Sequence, residues 1–198
     1  MPRLSLTDFV EVVSKSGTPK ATKIKQIKDR PGYHPSTDYY KQAREKIVEL
    51  HKDKLDLEEL DHIAMSVSPK KRLNYLDVVN GYKKWSTKKT LSWFHPPTYT
   101  HEKHGVAVNI NPELGLNINN QLHVIKLYFK SEPLTKNRVD IITYLMSDCL
   151  KDSCQDGVIM SIMDIRRSKL IDAPAMSKHL PALINAELAF IAAMWDEV

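Results

Sequence analysis

Residues 105–130 carry an alternation of apolar and polar side chains that predicts two strands joined by a hairpin turn. Asn119 and Asn120 stand between the two strands, and asparagine tolerates the positive φ angles that a two-residue turn requires. Counting outward from this turn places Glu113 opposite Lys126 on the neighbouring strand. We therefore expect the hairpin to organise the rest of the chain.

The two faces of this hairpin differ in character, because successive side chains of a strand point to opposite sides. The apolar face is predicted to lie in the core and carries Ile110, Leu114, Leu116, Ile118, Ile125, Leu127 and Phe129. The other face carries a polar group formed by Asn111, Glu113, Lys126, Tyr128 and Lys130. This group lies in mid-strand, so it is either a functional site or a solvated sheet surface.

Apolar residues at helical spacing predict several helices before the hairpin, among them a long one over residues 36–52. Pro96 and Pro97 exclude a central strand or a helix interior, so residues 87–104 are predicted to form a structured loop. The elements expected after the hairpin are a helix over 134–150, a strand over 157–166 that is buried on both faces, and a last apolar helix over 181–195.

This order of elements predicts an α/β (α+β) fold. Its mixed central sheet is built on the hairpin at 105–130 with the buried strand at 157–166, flanked by helices and accompanied by an N-terminal helical layer. Residues 1–90 are expected to be mostly helical and basic, and residues 91–198 to form the hairpin, helix, strand and helix core. A chain of 198 residues is expected to form one compact domain.

The composition is ordinary for a soluble globular protein, with 42% hydrophobic and 27% charged residues. No apolar run reaches the length of a membrane span and no signal peptide is recognisable, so we expect no membrane partner and a cytoplasmic location. Cys149 and Cys154 are interpreted as reduced bystanders, with a redox couple or half of a metal site as the alternatives. His101 and His104 could supply metal ligands, although loop histidines of this kind, His95 included, are more often surface residues.

The net charge of +5 is unevenly distributed. Residues 1–104 hold 20 Lys and Arg against 13 Asp and Glu, whereas residues 105–198 hold 9 against 11. A basic half suggests a polyanion such as DNA or RNA as partner, and the alternative is that these lysine-rich helices are simply well solvated. The predicted nucleic-acid contacts are Lys20, Lys23, Lys70, Lys71, Arg72 and Lys130.

The element order over residues 36–170 is similar to the αβββαβ core of the PD-(D/E)XK nuclease superfamily. In that family an acidic residue on the second strand and a (D/E)-x-K element on the third bind a divalent metal and activate water for phosphodiester hydrolysis. Here Asn111-Pro112-Glu113 occupies the place of the first motif, and Lys126 in HVIKLYFK that of the lysine. The resemblance implies Glu113 as a ligand of Mg²⁺ or Mn²⁺ and Lys126 as the residue that stabilises charge or orients water.

The acidic residue of the third strand is missing, because Val124 stands two positions before Lys126. A metal site would need a carboxylate from elsewhere, and the candidates are Glu45, Asp164 and above all Glu49, which we assign to the catalytic and metal-binding set with Glu113.

Three interpretations of the polar group therefore stay open. Glu113 and Lys126 are a cross-strand ion pair on an open sheet face, or part of a metal-dependent nuclease site. Alternatively, the domain is a non-catalytic module on a degenerate nuclease-like fold, which binds nucleic acid through its basic helices or associates with a protein partner or a second copy through its apolar C-terminal helix.

Overall fold

The predicted hairpin is present in the computed structural model, which describes residues 1–31, 38–175 and 177–198. Its strands are β5 (Leu114–Ile118) and β6 (Gln121–Tyr128), which pair antiparallel in the predicted register, with Ile118 opposite Gln121. Asn119 and Asn120 have φ angles of 50° and 73°, as a tight hairpin turn of this kind demands. The alternation of side chains therefore determined both the pairing and its register.

The hairpin forms the centre of a mixed five-stranded sheet with the strand order β2-β5-β6-β7-β8. The outer strands are β2 (Leu91–Phe94), β7 (Ile159–Asp164) and β8 (Lys169–Asp172). β7 runs parallel to β6, and the helix α6 (Lys136–Leu150) connects them. The prediction of a mixed sheet with a buried strand near 157–166 is confirmed, because all residues of β7 after Ile159 are buried.

The chain before β5 is interrupted, so the predicted first strand of the hairpin is two strands in different sheets. β4 (Val106–Ile110) belongs to a three-stranded sheet in the order β1-β4-β3, with β1 (Arg3–Ser5) and β3 (Tyr99–Lys103). The break falls at Pro112, which has no N–H to donate to a ladder.

The prediction of a loop over residues 87–104 is wrong, since β2 and β3 lie within it. Both are edge strands of their sheets, and Pro96 and Pro97 fall between them, where a missing N–H disturbs no ladder. The close approach of β2 to β5 requires Gly115, because a Cβ there would lie 2.4 Å from the carbonyl oxygen of Phe94.

Six further helices accompany α6 in the described part of the chain, and none of the seven is long and apolar enough to span a membrane. They are α1 (Leu6–Val13), α2 (Gly17–Lys28), α3 (Lys41–Lys52), α4 (Glu59–Ser66), α5 (Pro69–Ser86) and α7 (Leu180–Trp195). The predicted start of α3 at Ser36 lies outside the described residues. α1 begins after Ser5, whose hydroxyl accepts a hydrogen bond from the N–H of Asp8 at 3.0 Å.

Helices cover both faces of the five-stranded sheet. One hydrophobic cluster joins Val124 and Ile162 of the sheet to α1, α2, α6 and α7, and a second joins Leu114 and Ile125 to α3, α4 and α5. The polar face of the hairpin is therefore covered by helices, which excludes the expectation that Glu113 and Lys126 lie on an open sheet surface.

Arg166, just after β7, holds α5 against the sheet. Its guanidinium donates to the carbonyl oxygen of Phe129 at 2.9 Å and to Asp77 of α5 at 3.0 Å. α5 comes so close at this point that a Cβ on Gly81 would lie 2.1 Å from the carbonyl oxygen of Ile165. The position of α5 is thus fixed by one glycine and one largely buried cation.

Candidate functional site

Glu113 and Lys126 form an ion pair that is largely buried within the covered sheet. Nζ of Lys126 lies 2.6 Å from Oε1 of Glu113, and the two side chains are 9% and 12% exposed respectively. Nζ also donates to the carbonyl oxygen of Asn111 at 3.0 Å, while Oε2 accepts the N–H of Leu127 at 2.8 Å. Both carboxylate oxygens are therefore engaged within the protein.

Local backbone geometry explains why these two groups meet. The N–H of Glu113 donates to the carbonyl oxygen of Ile125 at 3.0 Å, which continues the β5–β6 ladder by one residue beyond the strand. Glu113 consequently stands opposite Lys126, as the count outward from the turn predicts.

Glu49 is not brought to this pair. Lys126 lies beside Val10 and Ile142 on the face that α1 and α6 cover, whereas α3, which carries Glu49, packs against the opposite face. The carboxylate of Glu49 is 49% exposed and lies 3.3 Å from Lys46.

The two other acidic candidates also have basic partners. Glu45 is exposed on α3, 3.6 Å from Lys41. Asp164 does lie on the same face of the sheet as Lys126, because it is paired with Tyr128 in the β6–β7 ladder. Both of its carboxylate oxygens, however, accept hydrogen bonds from Arg167, at 3.2 and 3.3 Å.

These donors do not fit a divalent cation. A metal at Glu113 would compete with Lys126 for the same carboxylate oxygen. Val124, two residues before Lys126 on the same face of β6, supplies no ligand. Among the residues that the structure describes, no group of three or more His, Cys, Asp or Glu side chains could hold a metal ion.

A second acidic residue does reach this part of the sheet, and sequence reasoning missed it. Glu11 of α1 lies 2.7 Å from Lys130 and 3.1 Å from Arg138 of α6. Burial opposes the ionisation of Glu11, but the hydrogen bond and charge of Lys130, with the charge of Arg138, outweigh it and lower its pKa. Arg138 also donates to the hydroxyl of Tyr128 at 3.0 Å.

We call the set Glu11, Glu113, Lys126, Tyr128, Lys130, Arg138, Asp164 and Arg167 the polar edge. Each of its carboxylates is bound to at least one cation. Lys130, a predicted nucleic-acid contact, is among these bound cations. The polar edge joins α1 and α6 to the end of the sheet, and it leaves little uncompensated charge to attract a ligand.

The predicted contacts on α2 are directed inward. Lys20 binds both carboxylate oxygens of Glu187 on α7 at 2.7 Å. Burial raises the pKa of Asp8 and of Glu11, but the closer basic partners of each outweigh it, and Lys23 nearby lowers both pKa values further. Lys28 donates to backbone carbonyl oxygens at the end of α7. The charge of α2 therefore fastens α2 to its neighbouring helices.

The predicted nucleic-acid contacts on α5 differ from those on α2 in their surroundings. Lys70 and Arg72 are exposed, Lys71 is half-buried, and no ion pair involves any of the three within residues 1–31, 38–175 and 177–198. Nζ of Lys71 lies 4.7 Å from the ring centre of Tyr39, a cation–π contact. The only acidic residue of α5 is Asp77, and Arg166 binds it. These three cations form the basic end of α5.

The surroundings of the basic end are open and partly apolar. An open groove of about 510 Å³ runs beside it, lined by residues that include Lys41, Lys71 and Tyr75 and the acidic Asp38 and Glu45. Arg44 binds Asp38, and Lys41 binds Glu45. Leu73 is 77% exposed on the next turn, and Met65 of α4 is also exposed. Cationic, acidic, hydrogen-bonding and apolar groups thus surround the basic end.

The loop histidines and the cysteines do not assemble into one site. Nδ1 of His101 lies 3.6 Å from Sγ of Cys149, whereas Nε2 of His104 lies 2.9 Å from Oδ1 of Asn185 on α7. Burial, with Asp148 nearby, raises the pKa of Cys149 to about 11, so its thiol is protonated at neutral pH. Burial also raises the pKa of Cys154.

Two buried histidines were not recognised from the sequence, because single His residues within apolar segments carry no distinctive pattern. Nε2 of His51 lies 2.5 Å from the hydroxyl of Tyr82. Nδ1 of His123 lies 2.9 Å from Oγ of the fully buried Ser161, which donates to Asp172 at 2.8 Å. Ser161 lies between the histidine and the carboxylate, so this set ties β6, β7 and β8 together and lacks the order of a nucleophilic triad.

Comparison with known proteins adds no assignment to this geometry: no model of a protein family, no curated protein and no solved structure matches this chain.

Proposed function

We propose that this protein is a non-catalytic nucleic-acid-binding module on a nuclease-like fold, and that the basic end of α5 is its contact with phosphates. The observation that carries the proposal is the separation of the predicted cations into two classes. Lys20 and Lys130 are bound to carboxylates, and Lys23 lies close enough to Asp8 and Glu11 to lower the pKa of both. Lys70, Lys71 and Arg72 have no acidic partner in the described part of the chain.

The position of these three cations favours an anionic ligand. They occupy the first turn of an eighteen-residue helix, where the helix dipole already produces a positive potential. Cations at this position repel each other and the positive end of the helix dipole. A bound phosphate group would offset this repulsion and accept hydrogen bonds from the cations and from the first N–H groups of the helix.

Aromatic and apolar groups beside the basic end suit exposed bases. Tyr39 lies under Lys71 and is 36% exposed, so part of its ring is available for stacking. Base stacking on aromatic rings adds about 1 to 3 kcal/mol per base and depends little on sequence. We therefore expect single-stranded DNA or RNA to bind more tightly than duplex DNA of the same length.

The nuclease-like part of the proposal is supported by the order α5, β2, β5, β6, α6, β7, which has the αβββαβ arrangement with β3 and β4 inserted. Hydrolysis through Glu113, Lys126 and Glu49 with Mg²⁺ or Mn²⁺ is the less favoured alternative, because Glu113 is bound to Lys126 and Glu49 lies across the sheet. The predicted cytoplasmic location is part of the proposal.

The test is a binding titration with fluorescently labelled single-stranded DNA, RNA and duplex DNA, at salt concentrations from about 50 to about 200 mM. The variant Lys70→Gln/Lys71→Gln/Arg72→Gln should weaken binding and reduce the slope of log affinity against log salt by about 2 to 3. The matched control is Lys15→Gln/Lys103→Gln/Lys169→Gln, which removes the same charge from exposed positions elsewhere.

Equal weakening by the two triple variants would show that only net charge matters and would overturn the assignment to α5. Absence of binding at the lowest salt would overturn the proposed function itself. The same mixtures are incubated with Mg²⁺, Mn²⁺ or a chelator, and chelator-sensitive cleavage by the unaltered protein would replace the binding function with hydrolysis.

A further inference from the structure

The exposed side of α7 has an unusual composition. Its outward residues follow one another at steps of four and three, and they are His179, Leu183, Ala186, Phe190, Ala193 and Glu197. The opposite side of α7, with Leu180, Ile184, Leu188 and Ile191, is buried in the core. Steps of four and three are the spacing of a seam between two packed helices. We call the six outward residues the α7 seam.

The residues in the middle of the α7 seam are uncharged, and the nearest cation is Lys20, whose Nζ lies 5.2 Å from the ring centre of Phe190. Glu187 is the only ionisable residue between Leu180 and Trp195, and it is bound to Lys20 at the side of the helix. Leu183 and Phe190 are 46% and 40% exposed. A helix that faces water on one side ordinarily places charged residues there, so an apolar seam indicates a contact with another protein surface.

We infer that the α7 seam binds a second copy of this chain, with the two α7 helices antiparallel about a two-fold axis that crosses the seam midway between Ala186 and Phe190. Large and small residues alternate along the seam as this arrangement requires. Leu183 of one copy then lies opposite Ala193 of the other, and Ala186 lies opposite Phe190. Each bulky side chain meets an alanine, which is the self-complementarity that a two-fold interface needs.

The charges at the two ends of α7 select the antiparallel direction. Lys178 and His179 precede the helix, Asp196 and Glu197 follow it, all four are exposed, and no ion pair involves them among the described residues. Two antiparallel copies place Lys178 and His179 beside the acidic end of the other copy. Two parallel copies would place like charges together.

The same end charges are unfavourable for α7 on its own. The first turn contains no acidic residue, so no side chain of α7 compensates the positive end of the helix dipole. At the negative end, Lys28 of α2 already donates to the carbonyl oxygens of Trp195 and Val198. In the antiparallel pair, Asp196 and Glu197 of one copy lie beside the positive end of the other helix. The second copy therefore supplies negative charge at the start of each helix, where it is lacking.

The contact is small, because a sixteen-residue helix is about 24 Å long. Stable interfaces bury roughly 800 Å² per partner, so a single helix face predicts association in the micromolar range. The oligomeric state of the full chain is measured by analytical ultracentrifugation from about 1 to about 300 µM. The expected result is a reversible monomer–dimer equilibrium within this range.

Ala186→Glu places a charge opposite Phe190 without removing a buried side chain, and it should raise the dimer dissociation constant at least about tenfold. The matched control is Asn80→Glu, which adds the same charge to an exposed position of α5 on the other face of the sheet, and it should leave the constant unchanged. A chain that stays monomeric throughout, or a dimer that tolerates Ala186→Glu, would overturn the inference.

A charge exchange tests the direction of the helices. Asp196→Lys/Glu197→Lys should weaken the dimer, and adding Lys178→Glu/His179→Glu to the same chain should restore it. A dimer that the first pair leaves unchanged or strengthens would exclude the antiparallel arrangement. The measurement is made without nucleic acid, so its outcome is separate from that of the binding proposal.

Discussion

Nζ of Lys126 lies 2.6 Å from Oε1 of Glu113, on the face of the sheet that α1 and α6 cover, and both side chains are largely buried. The pair occupies the place where the nuclease resemblance puts a metal ligand and a catalytic lysine. Its environment instead resembles that of a structural ion pair, with both carboxylate oxygens of Glu113 engaged. This difference leads directly to a measurable consequence for stability.

We expect Glu113→Gln to lower the free energy of unfolding by about 3 to 5 kcal/mol, because it leaves the buried ammonium of Lys126 without a counter-charge. The double variant Glu113→Leu/Lys126→Met removes both charges and should recover most of that loss. Urea unfolding gives the values, and Glu49→Gln, at an exposed position, should change stability by less than about 0.5 kcal/mol. A Glu113→Gln variant as stable as the Glu49→Gln control would argue against the structural role.

Gly81→Ala should destabilise the protein by about 1 to 3 kcal/mol, although alanine is the better helix former. The added Cβ would lie 2.1 Å from the carbonyl oxygen of Ile165, so α5 must move away from the sheet. Thermal unfolding is the measurement, and Asn80→Ala, one residue earlier on the exposed side, should be neutral or stabilising. Equal changes of stability in the two variants would show that α5 does not come this close to Ile165.

Acid should destabilise the protein through His51, since burial lowers the pKa of His51 from 6.5 to about 4. The unfolded chain binds this proton more readily, so the contribution is fully present above about pH 6.5 and is lost as pH falls toward 4. It amounts to about 3 kcal/mol in all.

His51→Gln should therefore lose less stability than the unaltered protein between about pH 7 and pH 4.5, and urea unfolding at both values gives the difference. Burial also lowers the pKa of His101 and His123, so a smaller loss of the same sign persists in the variant. His62→Gln, at an exposed position, is the control. Parallel pH dependences for His51→Gln and the unaltered protein would contradict the burial of an uncharged His51.

Cys149 should react with a disulfide reagent about 100-fold more slowly than a free thiol at about pH 8, because only the thiolate reacts and its pKa is raised to about 11. The rate is measured by absorbance in a Cys154→Ser background, and denaturant should restore the normal rate. A fast reaction in the native protein would mean that His101 activates the thiol, and the interpretation of Cys149 as a bystander would fail.

Local patterns predicted the centre of the fold well, for reasons that lie within short stretches of chain. The register of β5 and β6 follows from side-chain alternation and from two asparagines that accept positive φ, and both effects act between near neighbours. The strands β2 and β3 were missed because Pro96 and Pro97 dominate the local signal, although the prolines only separate the two strands.

The sequence by itself determined the hairpin, its register, the contact of Glu113 with Lys126 and the uncharged character of α7, because each depends on residue types at fixed spacings. Only the tertiary structure decided which charges are free. Lys20 and Lys70 look alike in sequence, yet Lys20 meets Glu187 while Lys70 meets no acidic partner in the described residues. The partner of a lysine is chosen by the packing of helices that are distant in the chain, and no local spacing encodes that choice.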